Sequence, residues 1–327
     1  MDENAISANQ VGKTYHIDGK QLGRHYKNHL SDYNEWDQLE HCKDWILYPK
    51  NMGHRLCLDE VALSSGELYT VLTNGEARCQ KGSIIAMIKG VKTENVIEVL
   101  KKIPEEVRNK VYETSTDLAR NMEQIAATSF PNTNVVDDRF HVAKLISDAV
   151  QTIRIKYRWE AIAEEAKQIK QMKVLGKRYE PIYFSNGDSK KQLLARSRYL
   201  LFKAEKKWTD SQKKRAKILF KEYPEIYDAY KLSMMFRNIY QTAKNKEEAE
   251  NRINQWIKKI EEKDIESFST AARSIESHKN NILNFFTNRT TNAMAESFNS
   301  KIKAFRQQFR GVKDVPFFLF RLSKILA

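Results

Sequence analysis

The chain has 327 residues, of which 41% are hydrophobic, so it can bury the core of one large domain or two ordinary ones. Its 56 lysines and arginines outnumber 42 aspartates and glutamates, and the resulting net charge of +14 points to a polyanionic partner, with nucleic acid first. No apolar run approaches the roughly 20 residues that span a bilayer, the polar start MDENAISANQ is no signal peptide, and Cys42, Cys57 and Cys79 form no CxxC pair, so the reading is a reducing cytosol without structural zinc.

In chain order, residues 1–20 read as a loose tail. From Lys20 to Leu47 the pattern is helical but polar, with Trp36, Leu39, Trp45 and Leu47 as its apolar points. His25 and His29 share a helix face at i, i+4. With His41 and Cys42 they could ligate a metal, but an ordinary solvated helix is the plainer reading. Pro49 and Gly53 then break the chain.

Short elements follow. His54 to Leu63 (HRLCLDEVAL) reads as a strand, Ser64 to Glu67 as a turn, Leu68 to Leu72 as a strand, Asn74-Gly75 as a turn, and Ser83 to Ile88 as a third strand. Thr93 caps a helix with Val96, Val99, Leu100 and Ile103 on one face. Lys110 to Thr116 alternates as a strand and ends at Asp117. A helix over 118–129, a fifth strand over 133–136 closing at Asp137-Asp138, and a long helix from Arg139 complete the order β-β-β-α-β-α-β-α.

That order predicts an α/β fold, a mixed five-stranded sheet with flanking helices. It is the order of the ribonuclease H-like core, in which the first and fourth strands lie side by side and parallel, so that Asp59 and Asp117 face one another. From about Asp148 the chain loses Gly and Pro and keeps helical spacing, with breaks near Gly176, Pro181–Asp188, Pro224 and Lys244–Glu247. This predicts a large all-α insertion of five or six helices. The expected division is 1–53 as tail and linker helix, 54–147 as the first part of the core, 148–290 as the insertion, and 291–327 as the rest of the core.

The insertion is most basic between Lys190 and Lys221. Lys190, Lys191, Arg196, Arg198, Lys206, Lys207, Lys213, Lys214 and Arg215 are candidate DNA contacts, with Tyr199, Phe202, Trp208 and Phe220 between them. The expectation is aromatics inward and lysines outward. Near the end, Ala293 to Phe309 reads as a helix with Met294, Phe298, Ile302 and Phe305 on one stripe. Glu296 lies beside that stripe, and Lys301, Lys303 and Arg306 are further DNA contacts.

Asp59, Asp117 and Glu296 are three carboxylates far apart in sequence. A carboxylate at the inner edge of a strand costs desolvation unless it is paired or holds a metal. Two divalent ions about 4 Å apart suit in-line phosphoryl transfer, and magnesium needs only two or three carboxylates because it keeps several waters. No Walker loop, GxSxG, HExxH or CxxC pair competes.

CLDEVAL, STDLARNM, FPNTNVVDDRFHVAKL, PEIYDAYKL and ILNFFTNRTTNAMAESFNSKIK together resemble the ISL-three family of bacterial insertion-sequence transposases. These are DDE enzymes similar to the Mutator-like group, and the resemblance runs from about Leu56 to Leu326. VVDDRFHV followed some 150 residues later by N-x-x-x-E-x-x-N-S-K-I-K is its specific part. The resemblance implies a DNA transposase with two Mg2+ (or Mn2+) ions, cutting element ends and transferring the strand to target DNA. It implies Asp59 and Glu296 as catalytic and metal-binding residues. For the second aspartate, Asp117 fits by strand position and Asp138 lies in the more recognisable sequence; Asp117 is adopted. Asp138 and His141 then form the auxiliary acidic-x-x-His pair, although His141 also reads as a helix-start histidine that orients a neighbour. The implied partners are terminal inverted repeats and target DNA and a second copy in synapsis; neither the cysteine-rich zinc region nor the helix-turn-helix usual in full-length members is seen, so the expectation is either a truncated chain or a separately encoded recognition protein. The implied location is the bacterial cytoplasm, at the nucleoid. The competing readings are an inactive or domesticated DNA-binding relative and a ribonuclease H-like nuclease.

Overall fold

A β-hairpin with a buried carboxyl-bearing strand organises the first of two units. In the computed structural model the described residues are all of 1–327 except 65, 290–292 and 310, and the side chains of 64 and 293–296 are likewise outside the description. The first unit comprises Met1–Arg139 and Asn288–Ala327, the second Phe140–Thr287.

The strands are β1 (Trp45–Leu47), β2 (Arg55–Ser64), β3 (Glu67–Asn74), β4 (Ile84–Lys89), β5 (Glu113–Thr116) and β6 (Asn134–Asp137), in the order β1-β4-β3-β2-β5-β6. β2, β3 and β4 pair antiparallel, while β2, β5 and β6 pair parallel. The sheet is thus mixed, and the first strand of the meander does run beside the next strand that follows a helix. It has six strands rather than five. The extra one, β1, lies in the stretch read as helix: Trp45-Ile46-Leu47 is too short for a helix face and gains ladder bonds on the open edge of β4.

Side-chain alternation gives each sheet face its own core. Leu56, Leu58, Leu72, Ile85 and Val135 pack on one face with α3 (Thr93–Leu100) and α5 (Arg120–Ser129), and the short α4 (Glu105–Arg108) links α3 to β5. Val61, Leu63, Tyr69, Val71 and Met87 pack on the other face, with Phe298, Ile302 and Phe305 of α13 (Ala293–Gln308) and with Phe318, Leu319 and Leu322 of α14 (Val315–Leu326).

The N-terminal residues are not a loose tail. Ser7 caps α1 (Ala8–Tyr15), His16 turns the chain in the left-handed region, and Asp18 caps α2 (Gly19–His25), which makes a helix-turn-helix hairpin. Gly12 permits it, because a Cβ there would lie 2.6 Å from the Ile17 carbonyl oxygen and 2.8 Å from Gly19 Cα. The helical reading of 20–47 holds only to Leu30, after which turns lead into β1. The buried Arg321 of α14 ties down the chain start by donating to the carbonyls of Met1, Asn4 and Ile6. Periodicity missed this segment because its fixing contacts come from α14, some 300 residues away.

The second unit is helical among its described residues: α6 (Arg139–Val174, whose first residue belongs to the first unit), α7 (Lys190–Arg196), α8 (Asp210–Glu222), α9 (Pro224–Thr242), α10 (Lys246–Lys263), α11 (Glu266–Ser277) and α12 (Lys279–Asn288). Ser189 with Gln192 and Thr209 with Gln212 form capping boxes on α7 and α8, and Pro224 opens α9. Trp256 fills the core beside Phe236 and Phe268, its indole N–H donating to the Leu232 carbonyl at 2.9 Å. No described helix is long and apolar enough to cross a membrane.

Candidate functional site

Strand register assembles the acidic residues. Cys57 of β2 pairs with Ser115 of β5, and Ser115 pairs with Val136 of β6. Two residues further along each strand stand Asp59, Asp117 and Asp138. The β5–β6 ladder continues to that level, since the Asp138 N–H donates to the Thr116 carbonyl at 2.8 Å. Asp59 lies on the face covered by α13, while Asp117 and Asp138 directly follow the ends of β5 and β6, on neighbouring strands about 4.8 Å apart. Glu60, Thr116 and Asp137 lie on the opposite face. The parallel β2–β5 pair therefore brings Asp59 and Asp117 together across 58 residues of sequence, and Asp138 stands beyond Asp117. Asp59 and Asp117 are half-buried, whereas Asp138 is only 4% exposed.

Asp59 is held on both oxygens. Its Oδ1 accepts the Glu60 N–H at 2.7 Å, and its Oδ2 accepts Asn299 Nδ2 at 2.7 Å. Asn299 lies on α13, where Phe298 and Ile302 anchor the helix to the sheet. Sequence reading gave Asn299 no role, although it follows Glu296 by three residues and so shares its helix face. The backbone of Glu296 lies in α13, one turn before Asn299; its side chain is outside the described residues. His141 sits in the first turn of α6, in the second unit.

The electrostatics are those of crowded carboxylates. Burial, then Asp117 and Asp59, push the Glu60 carboxyl above its usual range, with an Asn121 hydrogen bond opposing them. Asp137 is pushed up to about 8 by burial first, and then by Glu123, Asp117 and Asp138. Burial, then Asp59, drive the Cys57 thiol up to about 12, so it stays protonated. The other proposed ligands of the N-terminal stretch do not gather. His41 stacks on Trp45 and contacts its carbonyl, while the buried Cys42 donates to the Leu39 carbonyl.

The basic segment is more varied than its composition suggests. Arg196 and Arg215 both bind the buried Asp188, Lys190 pairs with Glu164, Lys191 with Glu165, and Lys213 with Asp210. Arg198, Lys206, Lys207 and Lys214 are exposed. Tyr199 is 65% exposed and Phe202 is also at the surface, against the expectation of inward aromatics. Both fall between α7 and α8, where no helix face exists to turn them in. In the first unit, Lys301 donates to the Cys79 carbonyl and Arg306 to the Ala62 carbonyl at 3.1 Å, while Lys303 is exposed.

A family model described as "Transposase", that of the ISL-three DDE enzymes, matches residues 56–322. The chain belongs to the ISL-three transposase family. The match begins inside β2, ends inside α14 and so contains every carboxylate of the site. No curated protein matches the chain. The transposase is a DNA-processing, DNA-binding protein of insertion-sequence transposition and recombination, and its family uses divalent metal. Asp59 and Asp117 offer hard carboxylate oxygens, the donor type such an ion takes, and both are partly open to solvent.

Proposed function

We propose that the transposase cuts DNA at the ends of its insertion sequence, leaving a 3′ hydroxyl, and then joins that hydroxyl to target DNA. Asp59, Asp117 and Glu296 are the acidic triad, on a ribonuclease H-like core formed by β4-β3-β2-β5-β6, with 148–290 as the helical insertion. The observation that carries this reading is the β2–β5 register, which sets Asp117 beside Asp59, with α13 bound to Asp59 through Asn299.

Asp59, Asp117 and Glu296 would hold two Mg2+ or Mn2+ ions, which when bound polarise the scissile phosphate and the attacking oxygen. The Glu60 N–H and the Asn299 amide keep the Asp59 carboxylate in one orientation. Asp138, with His141 at the start of α6, is the auxiliary pair. Asp117 is preferred over Asp138 because it is the nearer to Asp59 in register and the more open to solvent. Exposed Arg198, Lys206, Lys207, Lys214 and Lys303 contact DNA phosphates, together with Lys20 and Arg24 on the α1–α2 hairpin. Lys190, Lys191, Arg196, Lys213, Arg215, Lys301 and Arg306 belong to the same basic surfaces. Element ends, target DNA, a second copy at the nucleoid and a separate end-recognition protein are the partners.

The test is Mg2+-dependent nicking and strand transfer on terminal-repeat DNA. Asp59→Asn and Glu296→Gln abolish both reactions and leave DNA binding intact. Normal cleavage by either variant rules the triad out. Nicking without strand transfer by the unaltered protein favours a nuclease, and binding without nicking favours an inert relative.

A further inference from the structure

We infer that the exposed face of α6 is a self-association surface, on which a second copy of this chain packs with its α6 parallel to the first. In α6, Ile155, Trp159, Ile162, Ala166 and Ile169 follow one another at steps of four, three, four and three residues. That is the spacing of a two-stranded coiled-coil seam. At 100° per residue the five fall within an arc of about 80°, the width of such a seam. Ile155 is 42% exposed, Trp159 65% and Ile169 46%, Ala166 is also exposed, and Ile162 is half-buried. The opposite side of this helix is occupied: Ala161, Glu164 and Gln168 line a small cleft with Tyr179, Ile182 and Phe184 of the following loop. The seam is therefore an apolar stripe of about four turns left outside the core of the second unit. Three isoleucines and a tryptophan in one exposed row are what a partner helix covers.

Charge selects both the partner and its direction. One edge of the seam carries Arg158 and Glu165, and the other carries Lys156, Ala163 and Lys170. In a parallel pair the first edge of one helix lies against the second edge of its mate, five residues on. Glu165 then meets Lys170 of the other copy, twice by symmetry, and Arg158 meets Ala163, so no like charges oppose. In the antiparallel register that overlaps the seam most fully, Ile162 against Ala166, the edge with Lys156 and Lys170 would face itself, lysine against lysine, and Glu165 would face Glu165. Stacking identical seams in register also sets Ile162 against Ile162 at the centre. Glu165 already pairs within its own chain with Lys191 and is only partly exposed, so it is fixed in place at the rim.

The surface lies wholly within the second unit and shares no residue with the acidic site, so its test is separate from the nicking assay. The measurement is the solution mass of the full-length protein by light scattering across micromolar concentrations, without DNA. A dimer is expected. Trp159→Glu and Ile169→Glu each weaken it at least tenfold while leaving the helical circular dichroism unchanged. Lys170→Glu weakens it by setting Glu165 of one copy against a second carboxylate on the other, and the exchange Glu165→Lys with Lys170→Glu restores it. Under mild oxidation Ile162→Cys gives a covalent dimer, as expected for a central like-with-like contact. A monomer throughout the concentration range, or a dimer indifferent to Trp159→Glu, overturns the proposal. Efficient cross-linking between Ile162→Cys and Ala166→Cys chains, but not between two Ile162→Cys chains, overturns the parallel direction.

Discussion

Replacing Asn299 by alanine isolates what α13 does for the acidic site. The Asn299 amide donates to Asp59 Oδ2 at 2.7 Å, a hydrogen bond to an ionised acceptor. Such bonds contribute about 1.5–3 kcal/mol, and the half-buried position of Asp59 puts this one near the lower end. A loss of about 1.5 kcal/mol in the orientation of Asp59 lowers a rate roughly tenfold. The Glu60 N–H still holds Oδ1, so the carboxylate is loosened rather than released. The assay is single-turnover nicking of end DNA over a series of Mg2+ concentrations. The expected outcome for Asn299→Ala is a rate about tenfold lower and a higher metal requirement, with unchanged DNA affinity and thermal stability. Asn299→Asp is more severe, because two carboxylates at this distance share a proton and one of them titrates far above its usual range. Its residual activity should move to higher pH. A wild-type rate for Asn299→Ala would show that Asp59 is positioned by other groups and that the α13 contact is incidental.

Two further substitutions probe the scaffold. Asp188 is fully buried between Arg196 and Arg215; burial raises its pKa, but hydrogen bonds from Arg215 and then Arg196 outweigh that and hold it below the usual carboxylate value. Its stabilising contribution is thus present above the unfolded pKa and is lost as pH falls through the lowered folded value; Asp188→Asn should flatten the acid limb of the stability curve below about pH 4. Asp188→Ala, which leaves the mostly buried Arg215 without its carboxylate, should cost about 3 kcal/mol in chemical denaturation, the lower end for a broken buried pair because Arg196 is half exposed. Gly12→Ala forces a Cβ against the Ile17 carbonyl and Gly19; the expected cost of about 1–3 kcal/mol falls on the hairpin, and is read as faster amide exchange and earlier proteolysis over residues 8–25, with the sheet unaffected.

Much of the first unit could be read from local sequence. The strand alternation around Asp59, the turn at Asn74-Gly75, the apolar face of α3 and the apolar β6 each follow from rules that act over a few residues, and β2 to β6 stand where those rules place them; the expected Thr93 cap does not form, because Thr93 is itself the first helical residue. The same holds for the breaks at Pro224 and Asn245 that divide the helices of the second unit. Where the rules were misleading, the cause was long-range. Trp45-Ile46-Leu47 becomes a strand only because β4 offers an open edge, and residues 1–7 are ordered because Arg321 collects their carbonyls. Arg196 and Arg215 point to a buried aspartate rather than to solvent because the loop before α7 folds Asp188 inward.

The sequence by itself determined the family, the charge, the strand and helix order and the carboxylates available for chemistry, because side-chain type and spacing carry that information. Through the strand order it pointed to Asp59 and Asp117 as the facing pair, but it left Asp138 as a competitor. Asp117 and Asp138 end two strands of similar character, and only the parallel pairing of β2 with β5 rather than β6 sets Asp117 next to Asp59. The choice of Asp59 over Glu60 came from the family resemblance, and its physical reason is tertiary: adjacent residues on a strand point to opposite faces, and the packing of α13 on one face gives Asp59 its amide partner and leaves Glu60 on the other side.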